Sequence, residues 1–192
     1  MMWSLPTTVV INEKEYAIRN KCDFRVVLDV ISSLNDEELE MESRVECALF
    51  QFYGIDELDT VEIVLTSLND IQTAIVEMMK IINLGKEETN EEHNPKLMDW
   101  EHDYLQLAPA ISRTLGYSVR DESRYTHWYD FIGAYMEIGD CTFANIISIR
   151  NKRIKGKKLE TWEQEFYKEN KKIIDLPHKL TDEEQEWLDS DW

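Results

Sequence analysis

The apolar period of this chain changes once, at Asp23, and that change decides what it can fold into. Across TVVINEKEYAI, residues 8–18, Val9 and Ile11 take alternate positions on one side of Asn12 and Glu13, and Tyr16 and Ile18 on the other. Period-two alternation around a polar pair predicts a short β-hairpin. A lone hairpin is marginal in water, so it needs another layer to pack on. Asp23 then offers a side chain suited to cap a helix, and Phe24, Val27, Leu28 and Ile31 follow at helical spacing.

The helical period persists. A second segment is expected to open at NDEELE, whose acids suit a helix start, with Leu39, Val45, Leu49 and Phe52 as its stripe and Gly54 as its stop. Residues 60–84 carry the longest stripe: Val61, Val64, Leu65, Leu68, Ile71, Ile75, Met78, Met79 and Ile82, with Gly85 behind it. Pro95 after Asn94 suits a first helical position, and Trp100, Tyr104, Leu107, Ile111 and Leu115 continue to Gly116. Pro109 within that stripe should kink or interrupt it. Thr126 is placed to cap a helix carrying Trp128, Phe131, Ile132, Tyr135 and Ile138, and Gly139-Asp140 reads as a stop and a new cap. Phe143, Ile146, Ile147 and Ile154 open a final helix expected to reach about residue 174, where DLP ends it. The expected fold is mainly α, an N-terminal β-hairpin packed on a multi-helix bundle. Its expected parts are residues 1–84, a polar linker at 85–96 (GKEETNEEHNPK), a helical region at 97–177 and an acidic tail at 178–192, together one composite domain.

Charge narrows the partners. Of 192 residues, 21 are Lys or Arg and 39 are Asp or Glu, a net charge of −18. Such a surface repels phosphate backbones and anionic lipid, so neither nucleic acid nor membrane is an expected partner. Apolar residues make up 43%, enough for a core. Cys22, Cys47 and Cys141 lack the number and spacing of a disulfide framework and suit a reducing compartment. With no basic-then-apolar leader and no run of about 20 apolar residues, a cytoplasmic location is expected.

The segment RYTHWYDF, residues 124–131, crowds a guanidinium, an imidazole, phenols and a carboxylate together. On a helix, neighbours diverge, although His127 and Asp130 could meet at i, i+3. Trp128 and Phe131 fall on the core stripe, while Tyr129 and Asp130 face elsewhere and become candidate partner contacts. Asp99, Glu101, His102 and Asp103 cluster as well, but adjacent helical positions cannot converge on one ion, and a solvated helix start is expected. The chain has six glycines, and none forms a phosphate-binding loop. No catalytic, metal-binding or cofactor-binding residue is assigned, and no enzymatic activity is expected. The one basic concentration, RNKRIKGKK, holds Arg150, Lys152, Arg153, Lys155, Lys157 and Lys158. It reads either as a docking strip for an acidic surface, including that of another copy, or as a solvated helix end with cations suited to the dipole.

Taken in order, several short motifs resemble the gene-product-fifteen family of long-tailed bacteriophages. These are the V-x-I-N-x-K-E-Y hairpin, Asp23-Phe24-Arg25, the Asp99 to Asp103 cluster, His127-Trp128-Tyr129-Asp130-Phe131, Ile147 with Arg150, and the Tyr167 to Lys172 run ending in DLP. The resemblance spans residues 8–177. It implies a role in tail morphogenesis as a tail-assembly chaperone. Such a protein binds and solubilises the tape-measure protein, self-associates on it and yields to the tail-tube protein. It would work in the host cytoplasm and be absent from the mature virion. A different class of reading, motivated by the charge, is an acidic structural tail protein or a nucleic-acid mimic.

Overall fold

The computed structural model describes residues 4–54, 68–85 and 95–177. The stripe residues 61–67, most of the expected linker and the acidic tail therefore lie outside the described residues. The chain divides into two compact units: residues 1–93 with 111–138, and residues 94–110 with 139–192. The described residues form eight α-helices and one two-stranded hairpin, so the fold is mainly α as the change of period predicts. No described helix is long and apolar enough to cross a membrane.

The first unit opens with the antiparallel hairpin β1 (Thr8–Ile11) and β2 (Lys14–Ala17). Asn12 and Glu13 bend it with φ of 48° and 67°. Two successive positive φ values are what a two-residue type I′ hairpin requires. Val9 and Ile11 are buried while Val10 faces outward, as the alternation predicts. Three helices follow: α1 (Phe24–Asn35), α2 (Met41–Tyr53) and α3 (Leu68–Ile82). α1 packs on α2, α2 on α3, and β1 against α3. Asp23 does cap α1, accepting the Arg25 N–H at 3.0 Å. α2 begins later than expected: NDEELE precedes it, and Glu40 occupies its N-cap position.

Between the hairpin and α1, Asn20, Lys21 and Cys22 all take left-handed φ values of 47°, 56° and 64°. Each such residue costs about 1–2 kcal/mol when it carries a side chain, so a run of three stands only where later contacts hold it. Those contacts come from residues 125–128. The Tyr125 hydroxyl donates to the Lys21 carbonyl at 2.7 Å, and the Trp128 N–H donates to the Cys22 carbonyl at 2.9 Å.

α4 (Tyr104–Leu115) contributes its first turns, through Ala110, to the second unit and the remainder to the first. It corrects two expectations. Pro95 does not start a helix, and Trp100 lies in a turn ahead of Tyr104. The helix also runs through Pro109 without interruption. α5 (Trp128–Met136) returns to the first unit and packs on α1. There Phe24 stacks on Phe131, with centroids 4.2 Å apart and planes 5° apart.

In the second unit the expected long C-terminal helix is three: α6 (Thr142–Ile154), α7 (Thr161–Glu169) and α8 (Lys171–Ile174). Gly156, at φ 62°, is the break. Its N–H bonds the Arg153 carbonyl at 3.0 Å, and the Lys157 N–H bonds the Lys152 carbonyl at 2.8 Å. That paired closure is the Schellman ending. The cap of α6 is Cys141, whose sulfur accepts the Ala144 N–H, and not Asp140. Ile146, Ile149 and Ile174 form the buried centre, with Leu159, Phe166, Tyr167 and Ile173 around them.

Gly54 closes α2 at φ 63°, with the Arg19 Cβ and Cγ each 3.1 Å from where a side chain would begin. Gly116, at φ 78°, has open space in the same place. Gly54→Ala should therefore cost more than the roughly 1–2 kcal/mol of left-handed strain alone, and Gly116→Ala no more than that strain. Urea unfolding of the two variants, compared by midpoint, checks the difference.

Candidate functional site

The polar residues singled out in the sequence fall into two clusters, one in each unit. In the first unit, RYTHWYDF straddles the start of α5. His127, fully buried, is the N-cap of that helix in place of Thr126. Its Nδ1 accepts the Tyr129 N–H at 3.0 Å, and its Nε2 lies 2.9 Å from the Pro6 carbonyl. A backbone N–H can only donate, so Nδ1 carries no proton and Nε2–H donates to Pro6. Both nitrogens are thus bound within the chain, and the i, i+3 pairing with Asp130 does not form. Thr126 is buried instead, with its hydroxyl 2.9 Å from that of Tyr117.

Asp23 joins this cluster from the far end of the sequence. One oxygen takes the Arg25 N–H and guanidinium, at 3.0 and 3.1 Å, and the other accepts the Thr126 N–H at 3.1 Å. The Arg25 Nη1 and Nη2 groups also donate to the carbonyls of Val119, Asp121 and Arg124, at 2.9, 3.1 and 3.2 Å. Arg25 thereby pins the irregular segment ahead of α5. The Trp128 indole donates to the Ile82 carbonyl at 3.0 Å, anchoring α5 to the end of α3. Burial pushes the Cys22 thiol up to about 12, which keeps it protonated and a poor nucleophile. Tyr129 is half-buried, with its phenol raised by that burial, and Asp130 is exposed. Of the two candidate partner contacts, Asp130 is the more open.

The second cluster centres on Arg150, which was grouped with the docking strip and is not part of it. Its side chain is 4% exposed, and that of Asp103 is 0% exposed. Nη1 and Nη2 grip the two Asp103 oxygens at 2.7 Å each, a bidentate pair. Nε donates to the Ile174 carbonyl at 2.6 Å, Nη1 to Leu97 at 2.9 Å and Nη2 to Ile173 at 2.9 Å. All five guanidinium donors are used. Asp103 also accepts the Asp99 N–H at 3.0 Å, and His102 Nε2 lies 3.1 Å from the Ile173 carbonyl. The acidic cluster at 99–103 is thus partly internal, against the expectation of a solvated helix start. One signal could have revealed it, because Arg150 falls seven and four residues along from Phe143 and Ile146, on the apolar face of α6.

The rest of the basic strip divides. Lys152 pairs with Glu163 at 2.7 Å, and Glu163 is 1% exposed. Glu163 also accepts the Glu160 N–H at 2.9 Å, completing a capping box at the start of α7. The hydrogen bond from Lys152, then that from the Glu160 N–H, holds the Glu163 carboxyl below its ordinary value. Arg153 is ion-paired with Asp175 and lies over the Tyr167 ring, 4.2 Å from its centroid. Lys155, Lys157 and Lys158 are exposed, and among the described residues no carboxylate pairs with them.

A family model described as Bacteriophage Gp15 protein matches residues 1–176. No curated protein and no solved structure matches the chain.

Removing one partner of a buried ion pair costs about 3–5 kcal/mol, whereas replacing both with apolar groups can be neutral. Arg150→Met should lower stability by at least that amount, and adding Asp103→Leu should restore only the part owed to the bare carboxylate, because the Leu97, Ile173 and Ile174 carbonyls still lack Arg150; urea midpoints read both effects. Acid provides a second check. Glu163 is more acidic folded than unfolded. Its contribution is therefore full above its ordinary 4.5 and is lost as pH falls through the lower folded value. Unfolding curves from pH 7 downward should show that loss, and Glu163→Gln should flatten it.

Proposed function

This chain belongs to the bacteriophage Gp15 family, and from that premise we propose that it is a tail-assembly chaperone. In this reading it has no enzymatic activity and needs no cofactor. It binds the tape-measure protein in the host cytoplasm, self-associates along it, and is displaced as the tail-tube protein assembles. The observation that carries the proposal is a surface of two kinds. The chain bears a net charge of −18, yet Met41 is 70% exposed, Leu105 67% and Met136 60%. Methionine adapts its shape to varied apolar surfaces, and a strong net charge keeps a complex dispersed. A chaperone for a long apolar helix needs both. Weak contacts repeated along such a client add up through multivalency.

The charge also favours a second reading, an acidic structural tail protein or a nucleic-acid mimic. Mass spectrometry of purified virions separates it from the first: a chaperone is absent from mature particles, and a structural protein is present. A mimic would bind a basic nucleic-acid-binding protein with strong salt dependence.

Co-expression with the tape-measure protein of the same phage should move that protein from the insoluble to the soluble fraction, and the two should co-elute. Met41→Lys and Met136→Lys alter exposed positions, where substitutions usually shift stability by about 0.5 kcal/mol or less. The double variant should keep its unfolding midpoint and lose most of the co-eluting client. If the client stays equally insoluble with and without this chain, the proposal fails.

A further inference from the structure

The densest run of acids among the described residues is 36–46, with six Asp or Glu against one Arg. Within it Glu42 and Glu46 stand one turn apart on the exposed face of α2, and Phe50, 38% exposed, follows one turn later. Like charges four residues apart on a helix disfavour each other. No Lys or Arg lies three or four residues from either glutamate, and Arg44 gives its Nε to the Leu39 carbonyl at 2.7 Å. None of the ion pairs among the described residues uses Glu38, Glu42 or Glu46.

The second unit carries the opposite pattern. With Arg150, Lys152 and Arg153 paired internally, Lys155, Lys157 and Lys158 are the exposed cations of the turn that closes α6. They flank Gly156, so they repel one another within one short loop. Beside them is a shallow groove of about 700 Å³ lined by Lys158, Leu159 and Trp162, with Trp162 47% exposed. Each surface is thus an aromatic ring next to like charges that no ion pair among the described residues balances, and the two carry opposite signs. An aromatic centre with a polar rim is a common build for an association surface.

We propose that the Lys155, Lys157 and Lys158 loop of one copy docks on the Glu38, Glu42 and Glu46 edge of a second copy, with Phe50 covering Trp162. The contact gives the self-association proposed above, on which it rests, its two surfaces. Glu160 and Glu165 line the same groove and repel carboxylates, which confines the acids to the loop and leaves the groove to the Phe50 ring. The net charge of −18 opposes the approach of two copies. At about 0.15 M salt, however, that field fades over about 8 Å, while an ammonium and a carboxylate in contact still attract. Two different surfaces meet, so the contact either occurs twice within a dimer or passes from copy to copy.

Sedimentation velocity of the full chain alone, at about 0.15 M salt, tests the contact. The wild-type chain should show a mass that rises above the monomer with concentration. Reversing the loop (Lys155→Glu, Lys157→Glu, Lys158→Glu) or the edge (Glu38→Lys, Glu42→Lys, Glu46→Lys) should each weaken association at least about tenfold, because attraction becomes like-charge repulsion. Urea midpoints check that each variant is folded, and where a reversal lowers the midpoint, Gln at the same positions should weaken association in the same direction. An equal mixture of the two reversed chains should regain it, since each loop then meets an edge of opposite sign. The same change of charge at the exposed Lys168, Lys171 and Lys172 should leave association intact. A wild-type chain that stays monomeric overturns the proposal, as it would if loop and edge met within one copy. So does association that survives either reversal, a mixture that fails to regain it, or an equal loss in the Lys168, Lys171 and Lys172 variant. No client is present, so none of these outcomes depends on whether the tape-measure protein binds.

Discussion

Two short pieces of backbone far apart in sequence, 22–24 and 126–128, hydrogen-bond to each other as an isolated antiparallel bridge through Asp23 and His127. The Phe24 N–H reaches the Thr126 carbonyl, the Trp128 N–H reaches the Cys22 carbonyl, and the Thr126 N–H reaches the Asp23 carboxylate. Much of the first unit depends on this junction. It sets the first residue of α1 and the first residue of α5 side by side, which is why Phe24 and Phe131 can stack. It also supplies partners for polar groups that would otherwise be buried bare, at about 1–3 kcal/mol each. The crowded side chains of RYTHWYDF make sense in this light. Thr126, His127 and Trp128 are the fastenings of a junction, and their donors and acceptors are directed inward, while Arg124 and Asp130 stay exposed.

The second unit solves the same problem with a side chain. Its loop at Leu97 and the last residues of α8, Ile173 and Ile174, present carbonyls that no helix or strand satisfies. Arg150 bonds all three while its charge is balanced by Asp103. A guanidinium suits this task because its five donors are fixed in one plane and point in several directions. The two units thus share a logic: a polar hub buried among aliphatic or aromatic neighbours, holding segments that lack repetitive structure.

Local features were legible in the sequence, and distant ones were not. The hairpin, its Asn12-Glu13 bend, the Asp23 cap and the Gly54 stop each follow from residues within a few positions of one another. Trp128 and Phe131 followed from helical spacing. His127 as a cap did not, because its ring is oriented by Pro6, more than a hundred residues away. The Cys141 cap was hidden because a thiol is an uncommon choice for that position. The break at Gly156 was misread since a single glycine within a helical stripe carries only about 1 kcal/mol of penalty, and its closure was decided by hydrogen bonds around it. Grouping Arg150 with its basic neighbours treated charge as a sign of exposure, when its register with Phe143 and Ile146 pointed inward. Family membership was legible for a different reason: ordered short motifs survive even where the role of each residue is misjudged.

The left-handed run at Asn20 to Cys22 carries a consequence for the order in which the protein is made. Its strain is offset by contacts from Tyr125 and Trp128, which leave the ribosome about a hundred residues later. At roughly 5–20 residues per second that interval is on the order of ten seconds. During it, the start of α1 lacks its permanent neighbour, and the face of Phe24 that will meet Phe131 is open to whatever else the cell offers. The start of this chain is therefore committed to its final form by residues synthesised about a hundred positions later, and translation speed through the middle of the gene becomes part of how the protein folds.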